Sequence, residues 1–149
     1  MTAGRARVDL VEDSRAPDDQ HIVVAAVALV RDGHVLTVRK RGTQRFMLVG
    51  GKLEPGESAY DAALREAREE VGLVLGSATL LGEFLSEAAN EPGHTLHSTV
   101  FWVESDAEPV AAAEIVEVRW TPLVDHPDDL APMLEHHVLP VIIESFTNH

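Results

Sequence analysis

The stretch from Gly51 to Leu73, GKLEPGESAYDAALREAREEVGL, constrains the fold of this chain more than any other part of it. It contains Pro55 and Gly56, a turn pair that a helix does not carry in its interior, so the stretch begins as a loop. Ser58 then offers a side-chain oxygen that can cap a helix. Gly72 is a residue type that commonly ends one. We therefore predict a loop that turns into a short helix.

The predicted helix has two faces of different chemistry. Apolar side chains recur three and four positions apart, which places them on one face of a helix with about 3.6 residues per turn. Members of this apolar stripe are Tyr60, Ala63, Leu64, Ala67 and Val71. Glu66, Glu69 and Glu70 fall on another face, and Glu57 lies just upstream, where the loop can fold back toward them. We expect the stripe to face the core and the carboxylates to cluster on an exposed face.

Clustered carboxylates on one helix face destabilise the helix, because like charges three or four positions apart each cost roughly 0.2–0.5 kcal/mol. Glu69 and Glu70 also lie at the negative end of the helix dipole. Arg65 is placed to pair with Glu69 one turn later, but guanidinium groups alone do not neutralise so many converging carboxylates. A hard divalent cation with oxygen ligands would do so. The alternative is an acidic, solvated helix face with surface ion pairs.

The spacing of the fixed positions in this stretch resembles the Nudix box of the Nudix (MutT-like) hydrolases. Residues that match the box are Gly51, Glu57, Arg65, Glu66, Glu69, Glu70 and Gly72, with Leu73 and Ala67 at its two apolar positions. One departure precedes the box, since Val49 stands where many members have proline before the paired glycines. The resemblance implies a Nudix fold of the α/β (α+β) class, a mixed β-sheet sandwiched between helices, over residues 21–149.

The resemblance also implies an activity and a cofactor. Members of the family use Mg²⁺, or Mn²⁺, and water to cleave a nucleoside diphosphate linked to another group. Carried over by position, Glu57, Glu69 and Glu70 become metal ligands, and Arg65 holds a glutamate in its ligand conformation. Gly51 would offer a backbone carbonyl to the metal or a close approach to phosphate.

The general base is less narrowly defined than the metal ligands. Glu66 is the candidate inside the box, but some family members use a glutamate from a later loop. The later candidates in this chain are Glu104, Glu114 and Glu117, and sequence spacing does not choose among them.

A basic cluster leads directly into the box of an otherwise acidic chain. Its members are Arg39, Lys40, Arg41, Arg45 and Lys52, and Phe46 lies among them. Basic side chains beside a carboxylate cluster suit a phosphorylated small molecule, so we predict that Arg39, Arg41, Arg45 and Lys52 bind substrate. Phe46 could stack on a base, although its apolar neighbours also suit a core position. The alternative for the charges is a solubilising role on an exposed hairpin.

The substrate class rests on elimination. Ala88 stands where ADP-ribose hydrolases of the family carry a proline, and Tyr60, the only tyrosine, lies too early to mark a dinucleoside polyphosphate hydrolase. A MutT-like nucleoside triphosphate pyrophosphohydrolase is therefore the default prediction. An ADP-ribose or nucleotide-sugar pyrophosphatase is the alternative enzyme. A regulator that senses a nucleotide without turnover is the alternative of another class, and the complete set of glutamates argues against it.

Composition excludes several other classes of function. The formal net charge of −13 argues against binding a nucleic acid polymer, because that affinity comes mainly from Lys and Arg on phosphates. The chain has no cysteine, and it has no apolar run of the roughly 20 residues that a membrane span needs. We expect a cytoplasmic protein that does not bind membranes, and the family resemblance is compatible with a homodimer.

The remaining elements follow from hydropathy patterns. Residues 1–20 are polar and aperiodic, so we expect a flexible leader. The segment from His21 to Val30 is almost continuously apolar and predicts a strand buried on both faces. Asp32-Gly33 predicts a hairpin turn into a second strand over 34–41, and 45–49 predicts a third. Residues 127–146 predict a C-terminal helix that Pro140 should kink or split.

Overall fold

The computed structural model describes residues 21–88 and 92–147, so the predicted leader and the middle of the loop around residue 90 lie outside the described residues. The described strands are β1 (His21–Arg31), β2 (His34–Lys40), β3 (Val49–Lys52), β4 (Thr79–Glu87), β5 (Thr95–Val103) and β6 (Ile115–Pro122). The helix α1 (Ala59–Val71) follows β3, and a π-helical turn (Met133–Val138) continues into α2 (Leu139–Thr147). Among these residues, no helix is both long and apolar enough to cross a bilayer.

Strand β1 organises the sheet. It pairs in parallel with β5 along one edge, from His21 opposite Thr95 to Leu29 opposite Val103. Its other edge is shared, because β3 pairs antiparallel with the first part of β1 and β2 with the last part. The strand order is β4-β5-β1-β2-β6, with β3 attached to β1 beside this path. The mixed sheet between helices that the sequence predicted is confirmed.

The core lies on both faces of β1, as its continuous apolar sequence predicted. Alternate residues Ala25, Val27 and Leu29 pack in one cluster with α1. Ala26 and Ala28 pack in a second cluster with the C-terminal helical segment. Since a strand presents successive side chains to opposite faces, β1 holds both helical layers at once.

The turns that the sequence predicted are present. Asp32 and Gly33 have φ of 53° and 76°, which suits the tight hairpin between β1 and β2. Ser58 Oγ accepts a hydrogen bond of 3.1 Å from the Asp61 amide at the start of α1. Gly72 ends α1 in the left-handed region, with φ of 71°.

Three element predictions need correction. The strand predicted over 45–49 begins only at Val49, because Phe46 instead bridges to Leu130. The C-terminal helix begins at Met133, later than predicted. The helix is not broken at Pro140: the backbone changes from π-helical to α-helical at Leu139, and Pro140, which has no amide hydrogen, lies in the first turn of α2.

The buried face of α1 is rotated relative to the predicted stripe. Its buried side chains are Ala62, Ala63, Ala67, Glu70 and Val71. Tyr60 is 37% exposed and packs edge-on against Phe101. The rotation carries Glu70 into the interior, where it is 1% exposed, and the expected exposed position of Glu70 is therefore wrong.

We predict that Gly50→Ala lowers the free energy of unfolding by about 1–3 kcal/mol. Gly50 lies opposite Ala26 in the β1–β3 pair, and an added Cβ would lie 2.7 Å from the Cα of Ala26. The matched control is Gly76→Ala, where an added Cβ meets nothing within 4 Å. Urea denaturation of both variants measures the effect, and equal stability of the two would contradict the close approach at Gly50.

Candidate active site

Arg65 collects the carboxylates around the start and the exposed side of α1. Its Nε and Nη2 donate to the two oxygens of Glu57 at 2.7 and 2.9 Å, a bidentate pair that ties the preceding loop to the helix. Its Nη1 donates to Glu66 Oε2 and to Glu69 Oε1, both at 3.1 Å. Nη2 also donates to the Lys52 carbonyl at 3.2 Å. All five N–H groups of this guanidinium are thus engaged.

The pairing with Arg65 fixes the charge of Glu57. Arg65 holds the pKa of Glu57 down at about 2, mainly through its hydrogen bond, and Glu57 in turn raises the pKa of Arg65. Glu57 Oε1 accepts a further bond of 2.9 Å from the Glu54 amide. Both oxygens of Glu57 therefore already accept hydrogen bonds within the chain.

Glu70 is held differently, inside the protein. Its Oε1 accepts a bond of 3.2 Å from the Gly50 amide. Its Oε2 is buried and lies 3.3 Å from Lys40 Nζ, but without the geometry of a hydrogen bond. Burial raises the pKa of Glu70 to about 7, although the charge of Lys40 opposes the rise.

Lys40 connects Glu70 to the rest of the site. Its Nζ donates to the Gly50 carbonyl at 3.1 Å and lies 3.8 Å from a carboxylate oxygen of Glu114. The ammonium group is thus shared between a buried carboxylate, a carbonyl and an exposed carboxylate.

A polar cavity of about 350 Å³ opens beside these groups. Its lining consists of Lys40, Gly51, Lys52, Glu54, Arg65, Glu66 and Glu114. An added Cβ at Gly51 would lie 2.7 Å from Glu66 Cδ, so a larger residue there would displace the Glu66 carboxylate. We call this space the carboxylate cavity.

An apolar cavity of about 230 Å³ adjoins the carboxylate cavity and shares Lys40, Gly51 and Lys52 with it. Its lining includes residues of β1 and β5, Met47 and Leu48, and the segment from Ala131 to Leu134. We call Met47 and Leu48 the floor of this cavity and Ala131 to Leu134 its wall. We call this space the nucleoside cavity. Cationic side chains therefore stand where a polar and an apolar compartment meet.

Comparison with known proteins identifies the family. The NUDIX domain family profile matches residues 19–141. The chain belongs to the Nudix family. Its box, Gly51 to Leu73, is the segment that carries Arg65 and the clustered glutamates described above.

Two curated relatives illustrate the similarity of this Nudix chain to known proteins. It is 33% identical over 85 residues to the ADP-ribose pyrophosphatase of Methanocaldococcus jannaschii, covering 54% of this chain and 50% of that protein. It is 31% identical over 130 residues to the 8-oxo-dGDP phosphatase NUDT18 of Mus musculus, covering 80% of this chain and 37% of that protein. The chain thus spans half or less of the length of these two relatives.

A solved structure matches over a larger share of both chains. The crystal structure of a MutT NUDIX hydrolase from Burkholderia pseudomallei superposes with a TM-score of 0.67 at 27% identity, covering 84% of this chain and 97% of that one. The Nudix fold that the sequence predicted is confirmed.

The carboxylates of this Nudix site suit a divalent cation in charge and in donor type. Within the described residues, no three His, Asp or Glu side chains are already arranged around one metal position. The carboxylates nevertheless suit a divalent cation. Glu66 and Glu69 each direct an oxygen to the same guanidinium, and Glu70 has a buried oxygen without a hydrogen bond. Hard cations prefer oxygen ligands of this kind.

The structure separates the predicted substrate-binding residues. Lys52 lines both cavities. Arg39 instead donates to Glu117 at 2.8 Å and to the Thr43 carbonyl at 2.9 Å. Arg41 is exposed on the turn after β2. Of these three residues, Lys52 alone lines the two cavities.

Arg45 and Phe46, which were also predicted to bind substrate, instead contact residues that are distant in the sequence. Arg45 donates to the Asp128 and Leu130 carbonyls at 3.4 and 3.1 Å, so it holds the segment before the C-terminal helix. Phe46 is 4% exposed, and the Arg119 guanidinium lies over its ring at 3.6 Å from the centroid. Phe46 is a core residue, and its predicted contact with a base is wrong because the ring face is already covered.

Of the later glutamates, Glu114 alone lines either of the two cavities described above. Glu117 is paired with Arg39, and Glu104 is exposed beyond the end of β5. Glu66 and Glu114 line the carboxylate cavity together.

Two contributors were not among the site residues predicted from the sequence, although Lys40 belongs to the predicted basic cluster. Lys40 continues the alternation of Leu36 and Val38, which are buried, and that alternation was a signal that Lys40 points inward. The wall from Ala131 to Leu134 had no signal of its own, because only tertiary contacts bring it to the cavity.

We predict that the metal-free protein loses stability as the pH rises from about 4.5 to about 7. Over this range the folded state keeps a proton on Glu70 that the unfolded state releases, so the free energy of unfolding falls with pH. Glu70→Gln should remove most of this loss, which amounts to up to about 3 kcal/mol. Chemical denaturation with a chelator present, at about pH 5 and about pH 8, measures the difference between variant and wild type.

Glu69→Gln is the matched control, since Glu69 directly precedes Glu70 in α1 and its side chain is 48% exposed. It should keep the pH dependence of the wild type. If the free energy of unfolding of Glu70→Gln changed with pH as it does in the wild type, the raised pKa of Glu70 would be contradicted.

Proposed function

We propose that this Nudix chain hydrolyses a diphosphate linkage in a nucleoside diphosphate derivative, with Mg²⁺ as cofactor and a nucleoside triphosphate as the default substrate. One observation carries the proposal: a carboxylate cavity and an apolar cavity meet at Lys40, Gly51 and Lys52. A nucleotide has the same division into an anionic and a flat, largely apolar part. Its phosphates would lie beside the two lysines and its base in the nucleoside cavity.

The metal ligands in this proposal are Glu66, Glu69 and Glu70, with the Gly51 carbonyl beside them. Each of Glu66 and Glu69 gives one oxygen to Arg65 and keeps the other available. Glu57 has both oxygens engaged, which favours a positioning role over the ligand role predicted from the sequence. A bound divalent cation would polarise the phosphoryl oxygens and lower the pKa of a water molecule.

The chain's own residues supply orientation and proton transfer. Arg65 keeps Glu66 and Glu69 in fixed rotamers, and Lys40 and Lys52 place positive charge where substrate phosphates would lie. We assign the general base to Glu114, because it lines the carboxylate cavity with 59% of its side chain exposed and can pass a proton to solvent. Glu66, the candidate from the sequence, is held by Arg65 and is better suited to hold a cation.

The names of the relatives support the reaction class and leave the substrate open. One is an ADP-ribose pyrophosphatase and another an 8-oxo-dGDP phosphatase. Preference for Mg²⁺ over Mn²⁺, cytoplasmic location and a homodimer remain predictions from the sequence.

The proposal is tested by a Mg²⁺-dependent hydrolysis screen over canonical and oxidised nucleoside di- and triphosphates, ADP-ribose and nucleotide sugars, with identification of products. Glu66→Gln, Glu69→Gln and Glu70→Gln should each lower kcat/KM of the preferred substrate by roughly 100-fold or more, since each removes a ligand charge. Asp61→Asn, at the exposed start of α1, should retain activity. Nucleotide binding without turnover of any substrate would favour the regulator.

Glu114→Gln should lower kcat by roughly 100-fold or more and flatten the acidic limb of the pH–rate profile, because the base is lost. Glu108→Gln is the matched control, since Glu108 lies in the same β5–β6 connection and its side chain is 81% exposed. If Glu114→Gln kept the pH–rate profile of the wild type, Glu66 would be the better candidate for the general base.

A further inference from the structure

Arg119, on β6, engages its whole guanidinium group at a place apart from the glutamates of α1. Its Nη1 and Nη2 donate to the two oxygens of Asp129 at 3.0 and 2.8 Å. Its Nε donates to Thr121 Oγ1 at 3.2 Å, and its guanidinium plane covers the ring of Phe46. We call Arg119, Asp129 and Phe46 the Arg119 clasp.

Backbone hydrogen bonds continue the clasp along two segments of chain. The Phe46 amide donates to the Asp129 carbonyl at 2.9 Å, and the Ala131 amide donates to the Phe46 carbonyl at 2.8 Å. Arg45 adds its bond to the Leu130 carbonyl. Residues 45–46 and 129–131 therefore form one junction.

Two parts of the lining of the nucleoside cavity start at this junction. Met47 and Leu48, the floor, follow Phe46 directly in sequence. Ala131 to Leu134, the wall, follow Asp129 and Leu130. The relative position of wall and floor is thus set where the clasp holds the two segments together.

The geometry of the Arg119–Asp129 pair fixes an orientation in addition to any stability that it contributes. The two side chains are 27% and 40% exposed, so solvent screens part of the attraction between their charges. The planar guanidinium of Arg119 binds the carboxylate through two nitrogens and lies with one face on an aromatic ring, which fixes the orientation of both charged groups. A lysine side chain does not reproduce this geometry. Arg119 also keeps the pKa of Asp129 below its ordinary value, so the carboxylate stays ionised.

We propose that Arg119 is a positioning residue for nucleotide binding: by clasping Asp129 over Phe46 it fixes the wall of the nucleoside cavity against its floor. The inference rests on the proposed function, because it assumes that a nucleoside occupies that cavity. None of the clasp residues lines the carboxylate cavity, where the substrate phosphates would lie.

The test compares Arg119→Lys and Asp129→Asn with the wild type by binding. Affinity for a nucleoside monophosphate should fall roughly tenfold, whereas affinity for inorganic pyrophosphate with Mg²⁺ should stay within about twofold. For the substrate found in the screen, KM should rise by a similar factor with little change in kcat. Equal loss for both ligands, or no loss for either, overturns the proposal.

Arg31→Lys is the matched control for loss of stability. Arg31 also stacks on an aromatic ring, that of Trp120 at 4.7 Å, and donates to the Ser105 and Ala107 carbonyls, but it is not part of the clasp junction. It should lower the thermal unfolding temperature about as much as Arg119→Lys does without changing the ratio of the two affinities. A ratio that shifts equally in both variants argues for general loosening and against the clasp.

Methionine methyl NMR reports the wall and the floor separately, without any activity. The chain has three methionines, of which Met47 lies in the floor and Met133 in the wall, and Met1 lies outside the described residues. In free Arg119→Lys, the Met133 methyl resonance should shift more than that of Met47. Unchanged resonances in the free variant would falsify the clasp, and this comparison decides the matter even if the wild type binds no nucleotide and the proposed function fails.

Discussion

The hydrogen bonds from Arg65 to Glu57, Glu66 and Glu69 are the interaction on which the rest of the site depends. They bring three carboxylates from a loop and a helix to one guanidinium, where mutual repulsion would otherwise drive them apart. Because every N–H of Arg65 has a partner, the loop before α1 is fixed relative to the helix. Arg65 and Glu66 then line one cavity together with Gly51 and Lys52 of β3.

The sheet supplies the second half of the site through β1. Pairing with β1 places Gly50 and Gly51 of β3 next to the buried end of α1, where the Gly50 amide meets Glu70. Strand β2 ends at Lys40, whose ammonium group reaches the same carboxylate and the Gly50 carbonyl. A buried glutamate is thus tolerated because one strand end provides an amide and another provides a charge. The fold and the chemistry share these contacts.

The features that could be predicted from the sequence are largely those that depend on residues close together in the chain. The helix cap at Ser58, the Asp32-Gly33 turn and the Arg65–Glu69 pair follow from local spacing, and all are present. The burial of Glu70 did not follow, because spacing orders the residues around a helix without showing how far the packed face extends. Phe46 was misassigned for a related reason, since its partner Arg119 is far away in sequence. The wall after Asp129 likewise depends on contacts that no local pattern encodes.

The two cations nearest the carboxylates differ in a way that suits different tasks. Arg65 has a rigid fork with every donor satisfied, so it preserves one arrangement of glutamates. Lys40 has a flexible stem and contacts Glu70, Glu114 and the Gly50 carbonyl at distances from 3.1 to 3.8 Å, none of them in a bidentate geometry. An ammonium group in such surroundings can exchange one oxygen partner for another at small cost, and it borders both cavities. Fixed carboxylates beside an adaptable cation are what a site needs if anionic groups are to enter and leave while its negative side chains stay in place.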